Sequence, residues 1–138
     1  MSTTLLDSNV LIDLLENRPV WGEWSFRQLG LLGLTDGIVF NQIVYGEASV
    51  PCAPQSGFEA VLNVDWLKKE DLPWEAAFLA GKIHADYRRK GGQKTLALPD
   101  FLVGAHAAVR GYRLLTRDAA RFKTCFPHVE LITPDMHP

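Results

Sequence analysis

The residues best suited to chemistry in this chain are acids at the junctions of hydrophobic segments. Asp7 lies in "TLLDSNVLIDLL", where an apolar strand-like run gives way to an apolar helix-like run, Asp100 opens "DFLVGAHAAVR", and Asp118 follows "YRLLT". Each acid can cap a helix, because a carboxylate accepts the free N–H groups of the first turn and suits the helix dipole. Alternatively, these acids meet in the fold and bind a metal ion. For any one acid alone, both interpretations stay open.

Glu47 favours the metal site. It follows Ile43 by four residues and Val44 by three, which predicts a position on the apolar face of its helix. An ionised carboxylate that faces a core is costly unless it is paired or bound to metal. The alternative is an ion pair with Arg110 or Arg117.

Carboxylates that gather at one place repel one another and need a cation. Oxygen ligands of this kind suit Mg²⁺ or Mn²⁺. Zinc is disfavoured because neither the cysteines nor the histidines show ligand spacing; these residues are Cys52, Cys125, His84, His106, His128 and His137. His106 falls within a helical run, where we expect it to be packed or half exposed.

The elements that must position the acids alternate between strand and helix. We predict strands over 4–6, 112–116 and 129–132, a turn followed by a strand over 36–40, and helices over 9–16, 23–34, 42–50, 58–67, 74–90, 100–110 and 118–122, with a short extended piece after 67. Asn41 can cap the helix over 42–50. No two strands share a hairpin turn, so the pattern predicts an α/β fold with a mostly parallel sheet and helices on both faces. Parallel strands end at one edge, where ligands bind near a switch in strand order, so distant acids can converge there.

Length and composition limit the number of domains and the class of protein. At 138 residues, 47% hydrophobic and 22% charged, the chain is typical of one globular domain over residues 1–138. We expect a cytoplasmic protein without membrane contact, because we find neither a signal peptide, nor a membrane-spanning stretch, nor a disulfide framework. Most of the aromatic residues Trp21, Trp24, Trp66 and Trp74 are expected in the core or half buried, and Phe26, Leu29 and Leu32 are expected to point inward.

A net charge of −2 gives no global basic field, so nucleic-acid binding would need a local basic patch. The segment "YRRKGGQK" supplies one, with Arg88, Arg89, Lys90 and Lys94 beside Tyr87. These cations are predicted to bind phosphates, and Tyr87 to stack on a base. The alternative is a solvated helix end whose cations satisfy the dipole.

Four segments in order, "LLDSNVLIDLL", "NQIVYGE", "LPDFLVGAHA" and "LLTRD", resemble the PIN-domain ribonucleases. The resemblance is greatest to the VapC-type toxins of bacterial type II toxin–antitoxin pairs, and "FPHVELITP" is similar to the end of such chains. It implies a three-layer α/β/α sandwich, Mg²⁺- or Mn²⁺-dependent cleavage of RNA, a cognate antitoxin and a homodimer. Trp21, Trp24 and Phe26 are candidates for the dimer contact or the antitoxin groove.

The resemblance also assigns site residues. Asp7, Glu47, Asp100 and Asp118 match the acidic quartet of the family, while Asn9 and Thr116 match polar positions beside it. We hypothesise that Asp7 and Asp100 bind the metal directly and that Asp118 binds a second ion or a ligand water. Glu47 would orient or deprotonate the attacking water, and Asn9 and Thr116 would hold the carboxylates in register. Asn41, where many relatives carry serine or threonine, and Gly104, in a helix often richer in alanine or β-branched residues, depart from the family pattern.

Three alternative functions are compatible with parts of the sequence. A phosphatase-like Mg²⁺ site is disfavoured because "DSN" supplies one acid after the first strand where many such enzymes need two. A nucleotide-binding domain is disfavoured because no glycine-rich phosphate loop follows that strand. The rival of a different class is a catalytically silent PIN-like module that binds RNA or protein and keeps its acids as caps.

Overall fold

The computed structural model describes residues 3–16, 21–33, 37–91 and 96–138. Within them, strands and helices follow in this order: β1 (Thr4–Leu6), α1 (Ser8–Glu16), α2 (Trp21–Gly33), β2 (Ile38–Phe40), α3 (Gln42–Ser49), α4 (Gln55–Leu62), β3 (Leu67–Lys69), α5 (Trp74–Arg89), α6 (Leu98–Arg110), β4 (Arg113–Leu115), α7 (Ala119–Lys123) and β5 (Leu131–Ile132). The alternation of strand and helix matches the sequence prediction.

The strands form one sheet in the order β3-β2-β1-β4-β5, and each neighbouring pair is parallel. The chain builds outward from β1 through β2 to β3, then returns to the other side of β1 to add β4 and β5. The strand order therefore reverses between β1 and β4, where Leu6 is the register partner of Leu115. Open parallel sheets bind ligands at such a switch point.

The central strands β1 and β2 are apolar and buried along their length apart from the buried Thr4, as expected for a parallel sheet covered by helices, whereas the edge strand β3 exposes Lys68 and Lys69. Leu5, Leu6, Ile38, Leu114 and Leu115 are fully buried. The architecture is the predicted three-layer α/β/α sandwich. Along the part of the chain that the structure describes, no helix has the length and hydrophobicity needed to cross a bilayer.

Several local predictions are confirmed and some are wrong. Asn41 caps α3, accepting hydrogen bonds from the N–H groups of Ile43 and Val44, as predicted. The predicted helix over 58–67 instead runs from Gln55 to Leu62. Phe26 is exposed rather than inward, and Trp74 is 89% exposed rather than packed. The predicted end of the second helix at residue 34 and the turn at residue 36 lie outside the described residues, as does the Trp21 side chain.

Gly104 departs from the family pattern because an aromatic ring lies against it. A Cβ atom built on Gly104 would lie only 2.3 Å from the Phe126 ring, much closer than van der Waals contact allows. Phe126 is itself buried. The glycine therefore lets α6 pack against this ring, and the same helix carries Asp100 toward its start.

A polar network that is separate from the predicted metal-binding acids also runs through α6. His106, fully buried rather than half exposed, contacts Asn41 Nδ2 through Nδ1 at 2.9 Å and Glu70 Oε2 through Nε2 at 2.7 Å. Because Asn41 Oδ1 accepts the α3 N–H groups, its Nδ2 donates to His106, whose Nε2–H then donates to Glu70. The Tyr112 hydroxyl donates to the other Glu70 oxygen at 2.7 Å. We name the side chains of Asn41, His106, Glu70 and Tyr112 the His106 network.

Candidate active site

Asp7 follows β1 at the switch point and is almost fully buried, with 2% of its surface exposed. Its Oδ1 accepts the N–H of Ser8 and its Oδ2 accepts the hydroxyl of Thr116, both at 2.8 Å. Burial raises the pKa of Asp7 from 3.8 to about 6, although these hydrogen bonds and the charge of Arg121 act in the opposite direction. Within the described residues, its hydrogen-bond donors carry no charge, so the carboxylate lacks a cation in direct contact.

Thr116 joins the two segments that meet at the switch point. Its Oγ1 donates to Asp7 and accepts the N–H of Asp118 at 3.1 Å and the Nδ2 of Asn9 at 3.3 Å. Asn9 Oδ1 in turn accepts the N–H of Arg117 at 3.3 Å. The hydroxyl and the amide thus fix the start of α1 relative to the loop after β4. This geometry suits residues that hold carboxylates in register, which is the hypothesis for Asn9 and Thr116.

Asp100 and Asp118 meet at the guanidinium of Arg121. Arg121 Nη1 lies 3.0 Å from Asp100 Oδ1, and Arg121 Nε lies 3.1 Å from Asp118 Oδ2. Asp100 Oδ2 also accepts the N–H of Ala97, a reciprocal contact at the start of α6. Asp118 occupies the N-cap position of α7 but makes no side-chain cap hydrogen bond there. Capping therefore explains part of the position of Asp100 and none of the side-chain contacts of Asp118.

The predicted burial of Glu47 is wrong. Its side chain is exposed, because the buried stripe of α3 runs through Val44 and Ala48 and Glu47 lies at the margin of that stripe. The argument that a carboxylate facing the hydrophobic core needs a metal therefore does not apply to Glu47. Glu47 is nevertheless near the site, since its charge contributes to the raised pKa of Asp7. Arg117, considered as its partner, instead contacts Asp13.

Arg117 and Asp13 form a buried ion pair that the sequence analysis missed. Arg117 Nε lies 2.7 Å from Asp13 Oδ2, and the same oxygen accepts the hydroxyl of Ser25 at 3.2 Å. Asp13 is fully buried. The pair fixes the loop between Thr116 and Asp118 against α1 and α2. The sequence signal was an acid at residue 13 in an apolar helix, where a partner is expected.

The described residues contain no group of three or more histidine, cysteine or acidic side chains already arranged around a metal position. The expected four-acid convergence is thus absent in that form, because Glu47 faces solvent while Asp100 and Asp118 turn to Arg121. The carboxylate oxygens still fit a hard divalent cation as ligands. Asp7 is buried and its hydrogen-bond donors are uncharged. Asp100 and Asp118 already bind one cationic group, the guanidinium of Arg121.

The predicted phosphate-binding patch is only partly free. Asp86 pairs with Arg89 and with Lys90, each at 3.1 Å. Tyr87 is half buried and packs on Phe101, with ring centroids 5.5 Å apart, so the expected stacking surface for a base is partly taken. Arg88 is exposed. Lys94 lies outside the described residues.

An apolar groove of about 670 Å³ lies on another part of the surface, between α1, α2, α4 and the start of β3. Leu11 and Leu15 form one wall, and Phe26, Val61 and Trp66 expose hydrophobic surface along it. A separate face of α5 exposes Trp74 and Phe78, one helical turn apart. Exposed apolar surfaces of this kind are typical of protein contacts.

Together, the all-parallel sheet, its switch point and the acids beside it define an α/β protein with an acidic site at the position where such sheets bind ligands. The chain matches the PIN domain over residues 4–126, and it belongs to the PIN-domain family. This is a family of nucleases, which supports a hydrolase that acts on nucleic acid. A comparison with curated proteins finds no match.

Solved structures share the fold. A chain of VapBC2 from Rickettsia felis, bound to a DNA fragment from its promoter, superimposes with a TM-score of 0.75 at 21% identity, covering 95% of this chain and 98% of that one. For DNA-bound VapBC from Salmonella typhimurium the TM-score is 0.70 at 24% identity, with 96% and 98% covered. For FitAcB from Neisseria gonorrhoeae it is 0.71 at 21% identity, with 98% and 99% covered.

Proposed function

We propose that this chain, as a single PIN-like domain over residues 1–138, is a Mg²⁺- or Mn²⁺-dependent endoribonuclease and the toxin of a type II toxin–antitoxin pair. The observation that carries the proposal is Asp7, a carboxylate buried at the switch point of a PIN-family sheet with its pKa raised to about 6. Such a group is costly to the fold, and costly buried acids are typical of functional sites. RNA is chosen because the four segments quoted above resemble the VapC-type ribonucleases.

Each acid has a role in this proposal. Asp7 and Asp100 would hold the metal, and Asp118 would hold a second ion or a ligand water. The metal, when bound, would lower the pKa of a water and neutralise charge on the phosphate. Glu47, exposed on α3 and close enough for its charge to act on Asp7, would orient or deprotonate the attacking water. Thr116 and Asn9 keep Asp7 aligned with the loop after β4 through the hydrogen bonds described above.

The first experiment measures RNA cleavage by purified Asp7→Asn and Asp100→Asn in Mg²⁺. Each should lower the rate by roughly 100-fold or more, since a lost ligand costs at least as much as a lost supporting residue. Asp65→Asn, at an exposed acid in the loop before β3, is the matched control and should cleave normally. EDTA should abolish cleavage by the wild type. Full activity in both site variants would refute the assignment.

The rival of a silent binding module is separated by calorimetry. A nuclease of this kind binds Mn²⁺ in a manner that depends on Asp7 and Asp100. A binding module that retains its acids as caps shows no such dependence, and its RNA or protein binding survives both substitutions.

Substrate phosphates are proposed to meet the cations at the end of α5, with Arg88 as the main contact and Arg89, Lys90 and Lys94 in support. Arg88→Glu should weaken RNA binding and flatten its dependence on salt, because each phosphate contact releases counterions. Arg110→Glu is the control, since Arg110 ends α6 while Asp100 lies in its first turn. Equal binding by Arg88→Glu and the wild type would remove Arg88 from the RNA path.

The apolar groove is proposed as the seat of an apolar helix of the cognate antitoxin. Its apolar lining from α1, α2 and α4 and its exposed Phe26 suit a helix-in-groove contact. Phe26→Glu should leave RNA cleavage intact while weakening neutralisation by the antitoxin. Leu31→Glu is the control, because Leu31 is also exposed on α2 but does not line the groove. Trp24 cannot serve in this contact, since it is buried and its indole N–H donates to His137 O at 2.7 Å.

The homodimer is proposed to form through the face of α5 that exposes Trp74 and Phe78. Two large aromatic residues one turn apart, 89% and 70% exposed, are costly to leave in water. Trp74→Glu with Phe78→Glu should shift the mass measured by light scattering from dimer to monomer. An unchanged mass would place the self-contact elsewhere or show that the chain is a monomer.

A further inference from the structure

Arg121 is the cation of the candidate site. It lies on α7, the short helix that begins directly after Asp118, and the next residue, Phe122, is fully buried and anchors that helix. The Arg121 side chain reaches back to Asp118, three residues earlier, and across to Asp100 on α6. Its charge also acts on Asp7, since it lowers the pKa of that carboxyl. One guanidinium thus contacts two carboxylates from different segments, and its charge acts on a third.

The oxygens of Asp100 show that this arrangement competes with metal binding. Oδ1 is taken by Arg121 at 3.0 Å, and Oδ2 by the N–H of Ala97 at 3.0 Å. Each oxygen keeps a second lone pair, so a metal ion that binds Asp100 either shares Oδ1 with Arg121, beside a like charge, or takes the place of Arg121. The contact with Ala97 belongs to the first turn of α6, whereas the Arg121 side chain is about one third exposed and can move without unwinding that turn.

We infer that Arg121 is an exchangeable counter-cation: it holds Asp100 and Asp118 together when no metal is bound, and moves to an RNA phosphate when those acids take a divalent ion. This inference rests on the proposed function, because it requires the acids to bind metal. Arg121 offsets the repulsion between Asp100 and Asp118 in the metal-free fold. Once released, a guanidinium beside the site is the group best shaped for bidentate contact with phosphate.

A competing explanation is that Arg121 only braces the two acids. The two explanations predict opposite changes in metal affinity. If Arg121 competes with the metal, its removal frees Asp100 Oδ1 and removes a like charge, so the metal binds more tightly. If Arg121 is a brace, its removal lets the acids separate, and the metal binds more weakly.

The test is calorimetric titration of Mn²⁺ into the wild type, Arg121→Gln, Arg121→Lys and Lys123→Gln. Lys123 is exposed on the same helix, so its substitution matches the charge change without touching the acids. Arg121→Gln should bind Mn²⁺ roughly 2- to 10-fold more tightly than the wild type, the worth of partly exposed ion pairs. Arg121→Lys should fall between them, because an ammonium keeps the charge but bridges two carboxylates poorly. Lys123→Gln should match the wild type.

Two further readouts complete the test. At saturating Mn²⁺, Arg121→Gln should lower kcat/KM for RNA by roughly tenfold, with Arg121→Lys restoring part of it. In nuclear magnetic resonance spectra, the Arg121 Nε–H signal, assigned by its loss in Arg121→Lys, should shift on addition of Mg²⁺ as the contact with Asp118 breaks. Thermal melts confirm that each variant is folded.

The outcomes separate the two proposals. Weaker or unchanged Mn²⁺ binding in Arg121→Gln overturns the exchange while leaving the metal site intact. A wild type that fails to bind Mn²⁺, or binds it equally well after Asp7→Asn, refutes the proposed metal site itself and the exchange with it. That second failure is read from the wild type and Asp7→Asn alone, without any Arg121 variant.

Discussion

Two buried polar clusters share helix α6, and they differ in how their charges are satisfied. In the His106 network, each donor described above meets an acceptor, and Glu70 accepts from both His106 and Tyr112 at 2.7 Å. At the candidate site, Asp7 is equally buried but contacts uncharged donors, and its pKa is raised to about 6. A satisfied network stabilises a fold, whereas an undersatisfied carboxylate destabilises it. The contrast predicts opposite effects when side chains of the two clusters are replaced.

The largest effect should come from Asp7→Asn. Cleavage should fall roughly 100-fold. In EDTA, the stability of the variant relative to the wild type should rise between pH 4 and pH 7.5, because burial raises the pKa of Asp7 to about 6 and the ionised carboxylate opposes folding. Because the folded pKa lies above 3.8, the stability contribution of Asp7 is fully present below that pH and is lost as pH rises through about 6. The amide can accept only one of the two hydrogen bonds that Asp7 accepts, so the variant should be less stable than the wild type at pH 4.

Urea unfolding at several pH values between 4 and 7.5 checks this prediction, with Asp65→Asn as the control for a neutralised surface acid. A stability difference that does not change with pH would show that Asp7 belongs with the satisfied groups.

The His106 network should behave in the opposite way. His106→Leu leaves Asn41 Nδ2 and a Glu70 oxygen without their partner, so stability should fall by roughly 2–4 kcal/mol. Folded protein should keep most of its RNA cleavage and its dependence on Mg²⁺. His128→Gln, at an exposed histidine, is the control and should change neither property. A cleavage loss as large as that of Asp7→Asn, in protein shown to be folded, would move His106 into the active site.

Gly104 tests the helix that joins the two clusters. Gly104→Ala should cost about 1–2 kcal/mol of stability, because the new methyl group would meet the Phe126 ring, at 2.3 Å in the unrelaxed structure, and this outweighs the gain in helix propensity. Gly81→Ala on α5, where nothing lies within 4 Å of a new Cβ, should instead stabilise the protein by up to about 1 kcal/mol. In a Phe126→Ala background, Gly104→Ala should become stabilising. A cost that persists there would locate the strain elsewhere.

The sequence predicted what local patterns control. Apolar runs and the acid at the end of β1 were enough to predict the parallel sheet and the place of Asp7. The prediction from sequence failed for Glu47. This residue lies three positions after Val44, at the margin of the buried stripe of its helix, where neighbouring elements decide whether a side chain is exposed. The prediction also failed for Trp74: α5 buries the small residues Ala76 and Ala80, which leaves the large ones outside.

The contacts that the sequence could not predict join residues distant along the chain. Glu70 reaches His106 and Tyr112, which lie 36 and 42 positions away, and no local pattern marks such a set. One of the two ion pairs of Arg121 could have been predicted from the sequence. Its spacing of three from Asp118 is that of a helical ion pair, but the contact with Asp100 depends on how α6 and α7 meet.

The smallest effect should come from Tyr112→Phe, which removes one hydrogen bond from the His106 network and keeps the ring. Stability near neutral pH should fall by about 1 kcal/mol. Burial and the bond to Glu70 raise the pKa of Tyr112 to about 12, above its ordinary value of 10, so its contribution is present below pH 10 and is lost as pH rises through 12. The difference between the wild type and the variant should therefore shrink between pH 9.5 and 11.5 in urea unfolding.

In a protein that already carries His106→Leu, Tyr112→Phe should cost less stability than it does alone, since both substitutions act on Glu70. Strict additivity would show that the two bonds are independent, and the contrast with the candidate site would then rest on His106 and Asn41 alone.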